Sequence, residues 1–396
     1  MNNRVNLLLP EMRANPYPIY EKMRRESPVC QVDPAGMWAV SRYADAQFVL
    51  KNHDLFSSAG FEAALKPAWL PDNPLGDSLL VRDPPKHFKQ RNLLTRAFNP
   101  QSVARLELRV RAIANELIDH LQSAGEADFV AEFATPLPGR IIGELIGMDP
   151  SLHRNVKRWS EDLATITPVA PSDERVASIR GTVTEMRRQF QELVDARRKK
   201  PCNDLVSDLI GAEIDGEVLS DAEILAFLFL LLQAGFETTA CLFTNSLLVL
   251  LDRPELLLLL RSDPTQVPAF IEEVLRYESP GHGYLRITTA EVELGGVTLP
   301  RGAVVIVLAA SANRDEAQYP DPDRFDIRRG APGGLAFGFG VHFCIGAALA
   351  RLEGRVGLEA LFARFQGFSR MPGPIDWGTG IVLRSLLALP LAFRSA

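Results

Sequence analysis

Phe337-Gly338-Phe339-Gly340-Val341-His342-Phe343-Cys344-Ile345-Gly346 runs straight into an apolar, helix-like stretch, Ala347-Ala348-Leu349-Ala350-Arg351. Cys344 therefore sits where a glycine-rich loop meets a helix N-terminus. Free backbone N–H groups and the positive end of the helix dipole lower a thiol pKa there and hold a thiolate. Gly338, Gly340 and Gly346 carry no side chain, so a large flat ligand can approach the backbone closely. Phe337 and Phe343 offer such a ligand apolar surface, and His342 a polar contact. A buried, inert thiol is the commoner fate of a lone cysteine, but these neighbours weigh against it. A haem iron ligated by cysteine thiolate fits all of them together.

A second group of residues interrupts an otherwise apolar helical run: Ala234-Gly235-Phe236-Glu237-Thr238-Thr239. Glycine inside a helix costs about 1 kcal/mol against alanine, and a buried carboxylate costs more unless it has partners. Taken singly, Gly235 is explained by close helix packing, and Thr238 by a bond back to an upstream carbonyl. His87 and Arg91 lie at i and i+4, on one face of a helix that Asp83 would cap and the prolines after it would open. Such a pair matches ligand carboxylates or makes a solvated basic patch. Glu273 and Arg276, at i and i+3, are by themselves surface decoration worth roughly a few tenths of a kcal/mol.

The cysteine loop closely resembles the haem-binding signature of the cytochrome P450 family. In that signature Phe and Gly open the loop, and a second Gly, a basic residue, Cys and Gly follow at fixed offsets. Ala-Gly-x-Glu-Thr resembles the same family's oxygen-binding kink, and the likeness extends from Pro16 to the C-terminal strands. It implies a mainly α fold with small β-sheets, in which a long central helix crosses over haem b. Cys344 is then the iron ligand, Thr238 the hydroxyl that serves dioxygen, and Glu237 the proton-relay acid, in a position where many relatives have Asp. Small Ala234 and Gly235 leave room beside the cofactor, while Phe337, Gly338, Gly340 and Gly346 shape the loop. His87, Arg91, Arg286 and His342 take the propionate role. Glu273 and Arg276 form a structural network with Arg324 of the Pro-Asp-Arg-Phe segment. One departure stands out: relatives often place a propionate-binding histidine where this chain has Gly333-Gly334.

The resemblance implies a monooxygenase that inserts one oxygen atom into an apolar substrate by hydroxylation or epoxidation. There is no Gly-x-Gly-x-x-Gly unit, flavin module or iron–sulfur spacing. Electrons from NAD(P)H must then arrive through other proteins, by resemblance a ferredoxin and its reductase docking around Cys344. A peroxide-driven peroxygenase of the same fold would not need the Glu237–Thr238 pair. A non-catalytic haem-binding or recruitment protein would show loss of the cysteine, threonine or acid. Phe61, Trp69, Leu80, Ile166, Leu230, Gln233, Ala234, Tyr284 and Ile381 are expected to line a pocket for a bulky, largely apolar compound. Polyketides, terpenoids, steroids and fatty acyl compounds of specialised metabolism fit such a lining.

The elements that must position these groups are legible in outline. Helical periodicity dominates from about residue 86 to 275. The longest run, Asp221 to about Leu251, would extend on the order of 45 Å. Polar residues from Gln233 to Asn245 argue against a membrane span and for a helix through the core. Strands are expected at Met37–Ser41, Val292–Leu294, Val297–Leu299 and Ala303–Leu308, with Gly295-Gly296 as a hairpin turn. Phe56–Leu80 and Thr165–Asp173 read as irregular segments, either lids or plain surface loops. No repeat or linker divides the 396 residues, so one α-rich unit spanning 1–396 is expected.

Hydrophobic content of 46%, charged content of 23% and a net charge of −6 suit a globular protein and argue against nucleic-acid binding. Four scattered cysteines fit a reducing compartment. With only Leu7-Leu8-Leu9 as an apolar N-terminal stretch, a cytoplasmic monomer is the expectation.

Overall fold

Val29–Asp33, Met37–Val40 and Val304–Val307 are rich in β-branched and apolar residues, and they form the middle of a six-stranded sheet. The computed structural model describes residues 4–330 and 334–395, so of the Gly333-Gly334 pair that marks the expected departure only Gly334 is among the described residues. These residues group into two units. The first comprises 1–57, 110–134 and 238–396, and the second 58–109 and 135–237. The border falls within the central helix, Asp221–Asp252, between Glu237 and Thr238.

In the first unit the strand order is Val5–Asn6, Val29–Asp33, Met37–Val40, Val304–Val307, Tyr284–Thr288, Phe56–Ser57. Tyr284 pairs with Val307 and Arg286 with Val305, antiparallel. Alternate residues serve opposite faces. Val40, Val305 and Val307 pack with Leu50, Phe56 and Leu335, with Tyr284 and Phe339 against them. Ala39, Ile306 and Leu308 pack with Tyr20 and Met23, with Leu285 against them. The period of two places Arg286 on the Tyr284 face, which is the face that Leu335 and Phe339 of the cysteine loop cover. The expected hairpin joins Val292–Leu294 to Val297–Leu299, and both Gly295 and Gly296 have positive φ. Phe365–Arg370, Pro390–Ser395 and Glu126–Asp128 make a further three-stranded sheet.

Behind the loop, helix Ala347–Arg364 packs on helix Val267–Tyr277 and on the second half of the central helix. Gly354 makes this approach possible: a Cβ there would stand 2.9 Å from Leu242 Cδ2. Arg351 joins Glu272 through two hydrogen bonds of 2.6 and 3.0 Å.

The Glu273–Arg276 pair is no surface decoration, since the two side chains are 5% and 3% exposed. Arg276 forks onto Glu273 at 2.7 and 2.8 Å and donates to the carbonyls of Asn313, Pro322 and Arg324. The third charged member differs from expectation. The Arg324 guanidinium turns outward to Asp326, and only its carbonyl joins the network. Arg329 reaches Glu273 instead, at 3.5 Å. Arg324 opens a turn whose side chain faces solvent, and the chain must fold back before another arginine can point inward.

The second unit is mostly helical and includes Lys86–Ala97, Pro136–Ile146, Val156–Ala164 and Asp173–Lys199. Asp83 does not cap Lys86–Ala97, whose first residue lies three positions further on. Its carboxylate accepts from the Ser58 N–H at 2.9 Å instead. Most of Phe56–Leu80 is not irregular: short helical turns at Ala59–Phe61, Glu62–Leu65, Pro74–Asp77 and beyond Ser78 bury Trp69, Leu70, Leu75 and Leu79.

The central helix alone among the described residues is long and apolar enough to cross a membrane, and 67% of its most apolar window is buried inside the protein.

Glu353, on the cysteine helix, is fully buried, and neither carboxyl oxygen has a hydrogen-bond partner among the described residues. Burial holds its pKa well above the usual carboxylate range. The native state therefore keeps a proton that the unfolded chain releases above about pH 4.3. Stability falls as pH rises through that window.

Two outcomes follow for urea unfolding. Arg276→Ala, which takes the two-pronged partner from buried Glu273 and leaves it Arg329 at 3.5 Å, should lower stability by about 3 kcal/mol. Glu353→Gln should gain on the wild type steadily as pH rises from about 4.3; a pH-independent difference between the two would rule out a buried neutral acid.

Candidate active site

The loop around Cys344 is built from two tight turns, Leu335–Phe337 and Gly340–His342. The Gly338 N–H donates to the Leu335 carbonyl at 2.9 Å, Phe343 to Gly340 at 3.0 Å, and Cys344 back to Phe337 at 2.9 Å. Gly338 and Gly340 adopt φ of +71° and +70°, where side chains are strained. Gly340 is also a point of contact: a Cβ would stand 2.7 Å from the carbonyl oxygen of Leu50, near the end of helix Tyr43–Lys51. Cys344 precedes the first helical residue, Ala347, by three positions, and Gly346 is the N-cap. Cys344 is in no disulfide and is exposed, beside Phe343 at 42% exposure, while Leu335 and Ala347 are buried. Half-buried His342 closes the second turn. The Arg351 guanidinium lies 4.5 Å from the centroid of the Phe337 ring.

Two side chains from elsewhere in the first unit fix the loop's entrance. The Asn313 amide oxygen accepts from the Leu335 N–H at 2.6 Å. The Tyr284 hydroxyl shares its hydrogen between the Leu335 and Ala336 carbonyls, at 2.8 and 2.7 Å. Its ring stands 3.8 Å from where a Gly338 Cβ would be. Burial, and after it the charge of Cys344, push the Tyr284 phenol pKa up. Tyr284, expected in the substrate pocket, is thus a strut of the cysteine loop. Arg286, two residues on and 8% exposed, shares its face and donates to the Leu285 carbonyl at 2.7 Å.

These residues suit a haem. An exposed thiol on a glycine-rich loop is a proper soft ligand for iron, and a cation stands on the sheet face that the loop covers, suited to a carboxylate.

The central helix is continuous from Asp221 to Asp252. Along it Leu230, Gln233, Ala234, Glu237 and Thr238 are less buried than their neighbours. Ala234 and Thr238, at i and i+4, are exposed, so one stripe of a core helix is open. Gly235 is not on that stripe. A Cβ on it would stand 2.8 Å from Ile142 Cδ1, so its smallness admits helix Pro136–Ile146. Burial first, and the Glu161 carboxylate second, raise the Glu237 pKa; the Ser160 hydroxyl opposes them.

His87 is buried on helix Lys86–Ala97 with half-buried Arg91 one turn later. In the same unit, Trp69 fastens two candidate pocket walls: its indole N–H donates to the Thr167 carbonyl at 3.0 Å, next to buried Ile166. The Arg180 guanidinium donates twice to the Trp69 carbonyl, at 2.9 and 2.6 Å. Phe61 is half-buried and Leu80 is 49% exposed. Ile381, in the first unit, packs against the sheet face that holds Tyr20 and Met23. Ser160, Arg329 and the loop-bracing role of Tyr284 have no signature in the sequence; Glu353 does, as a lone acid on an apolar helix face.

An α-rich fold with a pinned thiolate loop and an acid–threonine pair on its core helix defines a haem-thiolate oxygenase. The cytochrome P450 family model matches residues 170–388, just over half of the chain. Cytochrome P450 107B1 of Saccharopolyspora erythraea is 37% identical, spanning 94% of this chain and 93% of its own. The 6-deoxyerythronolide B hydroxylase of the same organism is 36% identical, spanning 95% of each chain. The solved structure of CYP109Q5 from Chondromyces apiculatus superposes with a TM-score of 0.92 at 41% identity, covering all of both chains. The chain belongs to the cytochrome P450 family and is a monooxygenase, a class that uses haem and dioxygen.

Gly340→Ala should strain the loop and crowd the Leu50 carbonyl, lowering stability by about 1–3 kcal/mol and reducing haem content, read as the Soret-to-280 nm absorbance ratio.

Proposed function

We propose that this monooxygenase hydroxylates or epoxidises a bulky, largely apolar product of specialised metabolism. The exposed thiol of Cys344 on its pinned loop is the observation that carries the reading. The substrate class is supported by the apolar candidate lining, with Gln233 as a polar member, and by the names of relatives. Among these are a vitamin D(3) 25-hydroxylase of Pseudonocardia autotrophica and a cyclomarin C epoxidase of Salinispora arenicola, both 36% identical. A further structural neighbour, CYP109E1 of Bacillus megaterium, was solved with testosterone.

Haem b, held through Cys344, supplies oxygen activation. Arg286, His342, His87 and Arg91 are assigned to its carboxylates, as cations or hydrogen-bond donors. Glu237, whose raised pKa lets it hold a proton nearer neutral pH than a surface glutamate would, gives that proton toward the Thr238 hydroxyl. Thr238 orients it along the open stripe that it shares with Ala234. Leu230 and Ala234 on the same stripe present apolar side chains that do not compete for that proton. Electrons come from NAD(P)H through a ferredoxin and its reductase.

Cys344→Ser should abolish the thiolate-type absorption of the reduced carbon monoxide adduct. Thr238→Ala should retain haem and substrate binding but release reducing equivalents as peroxide. Unchanged product per electron in that variant would contradict the relay. Spin-state shifts of the ferric protein against a lipophilic metabolite library would identify the substrate.

A further inference from the structure

Ser160 is fully buried in helix Val156–Ala164, and its hydroxyl finds no partner at close hydrogen-bond distance among the described residues. A buried hydroxyl without a partner is unfavourable, and such groups concentrate where a water or a proton is handled. Its surroundings say which group it serves. Val156, one turn earlier, shares its face of the helix. A Cβ on Gly139 would touch Val156 Cγ1 at 3.7 Å and Phe236 Cδ2 at 3.8 Å, so this face meets the central helix beside Glu237. The Ser160 hydroxyl is near enough to favour the Glu237 anion.

The next residue, Glu161, is exposed and, among the described residues, pairs with exposed Lys157 at 3.9 Å. Neighbouring residues of one helix thus put a surface acid and a buried hydroxyl on the side of half-buried Glu237 of the central helix.

Other charges are turned elsewhere. On helix Pro136–Ile146, Gly139 and Ile142 face the central helix, Glu144 is bonded to Arg109, and Arg140 acts on Glu144 and His153. Asp162 is held by Arg175 of helix Asp173–Lys199. Among the described residues no Lys, Arg or His pairs with Glu237, and Glu161 is the one charge that acts on it. A cation beside Glu237 would hold it as an anion; here it can take up and give away a proton.

We propose that Glu161 and Ser160 form the inlet of the proton path to Glu237. Glu161 takes a proton from solvent and passes it to Ser160 Oγ. Ser160 in the same step releases its own hydroxyl hydrogen, over one bridging water, to the Glu237 carboxylate. The serine ends each passage with the hydrogen count and charge it began with, and Glu161 is again an anion. This inference rests on Glu237 and Thr238 being the relay of the monooxygenase.

The test uses the haem-loaded full chain and needs no known substrate. The infrared band of the Glu237 carboxyl, assigned by its loss in Glu237→Gln, is followed after a pH jump. Ser160→Ala should slow its protonation at least ~10-fold, Ser160→Thr should restore it, and Glu161→Gln should slow it and lower its titration midpoint. With ferredoxin, reductase and NADH but no added substrate, Ser160→Ala should also raise the peroxide released per dioxygen consumed, as Thr238→Ala does. If Ser160→Ala protonates Glu237 at the wild-type rate, or threonine fails to rescue, the inlet is overturned although the relay stands. If Thr238→Ala leaves the peroxide share unchanged, the relay falls and the inlet with it.

Discussion

A thiolate useful to iron must stay exposed at its sulfur while every backbone group beneath it stays fixed. The loop from Leu335 to Gly346 meets that demand through contacts at several points. The Tyr284 hydroxyl and the Asn313 amide hold its first turn, and the Leu50 carbonyl abuts Gly340. Helix Ala347–Arg364 continues it, packed closely on the central helix through Gly354. None of these contacts touches the sulfur. They make the ligand's position a property of the sheet and helices, not of the loop's own preferences. The Glu273–Arg276 network extends the same logic, because its arginine also holds the carbonyl of Asn313, the residue whose side chain fixes Leu335.

The sequence made the chemistry more legible than the supports. Cys344, Glu237 and Thr238 lie in local motifs, and the structure leaves Cys344 and Thr238 exposed while Glu237 is half-buried. The hairpin at Gly295-Gly296 and the core helix were readable because turn chemistry and apolar runs are local signals. Long-range choices were not readable. Which arginine reaches Glu273 depends on how residues 320–329 turn, so Arg329 and not Arg324 fills the place. Asp83 reads as a cap because caps look alike in sequence, yet its carboxylate finds Ser58, 25 residues away. Gly235 reads equally well as room for a ligand or for a helix, and the approach of Ile142 is a long-range contact that no local signal announces.

Two acids share one physical condition and differ in company. Glu237 and Glu353 are both pushed toward the neutral form by burial. Glu237 has a hydroxyl and a surface carboxylate within influence, so its proton has somewhere to come from. Among the described residues Glu353 has neither oxygen bonded and no charge acting on it. It is a fixed cost set into the cysteine helix, sensitive to pH through stability.

Trp69 ties the segment after Ser58 to Thr167 by its indole, and to Arg180 by its carbonyl. Two stretches about a hundred residues apart in sequence are thereby stitched at a single aromatic residue. Drift in either stretch is felt by the other, so lineages that broaden their diet would have to alter both together or cut the stitch first.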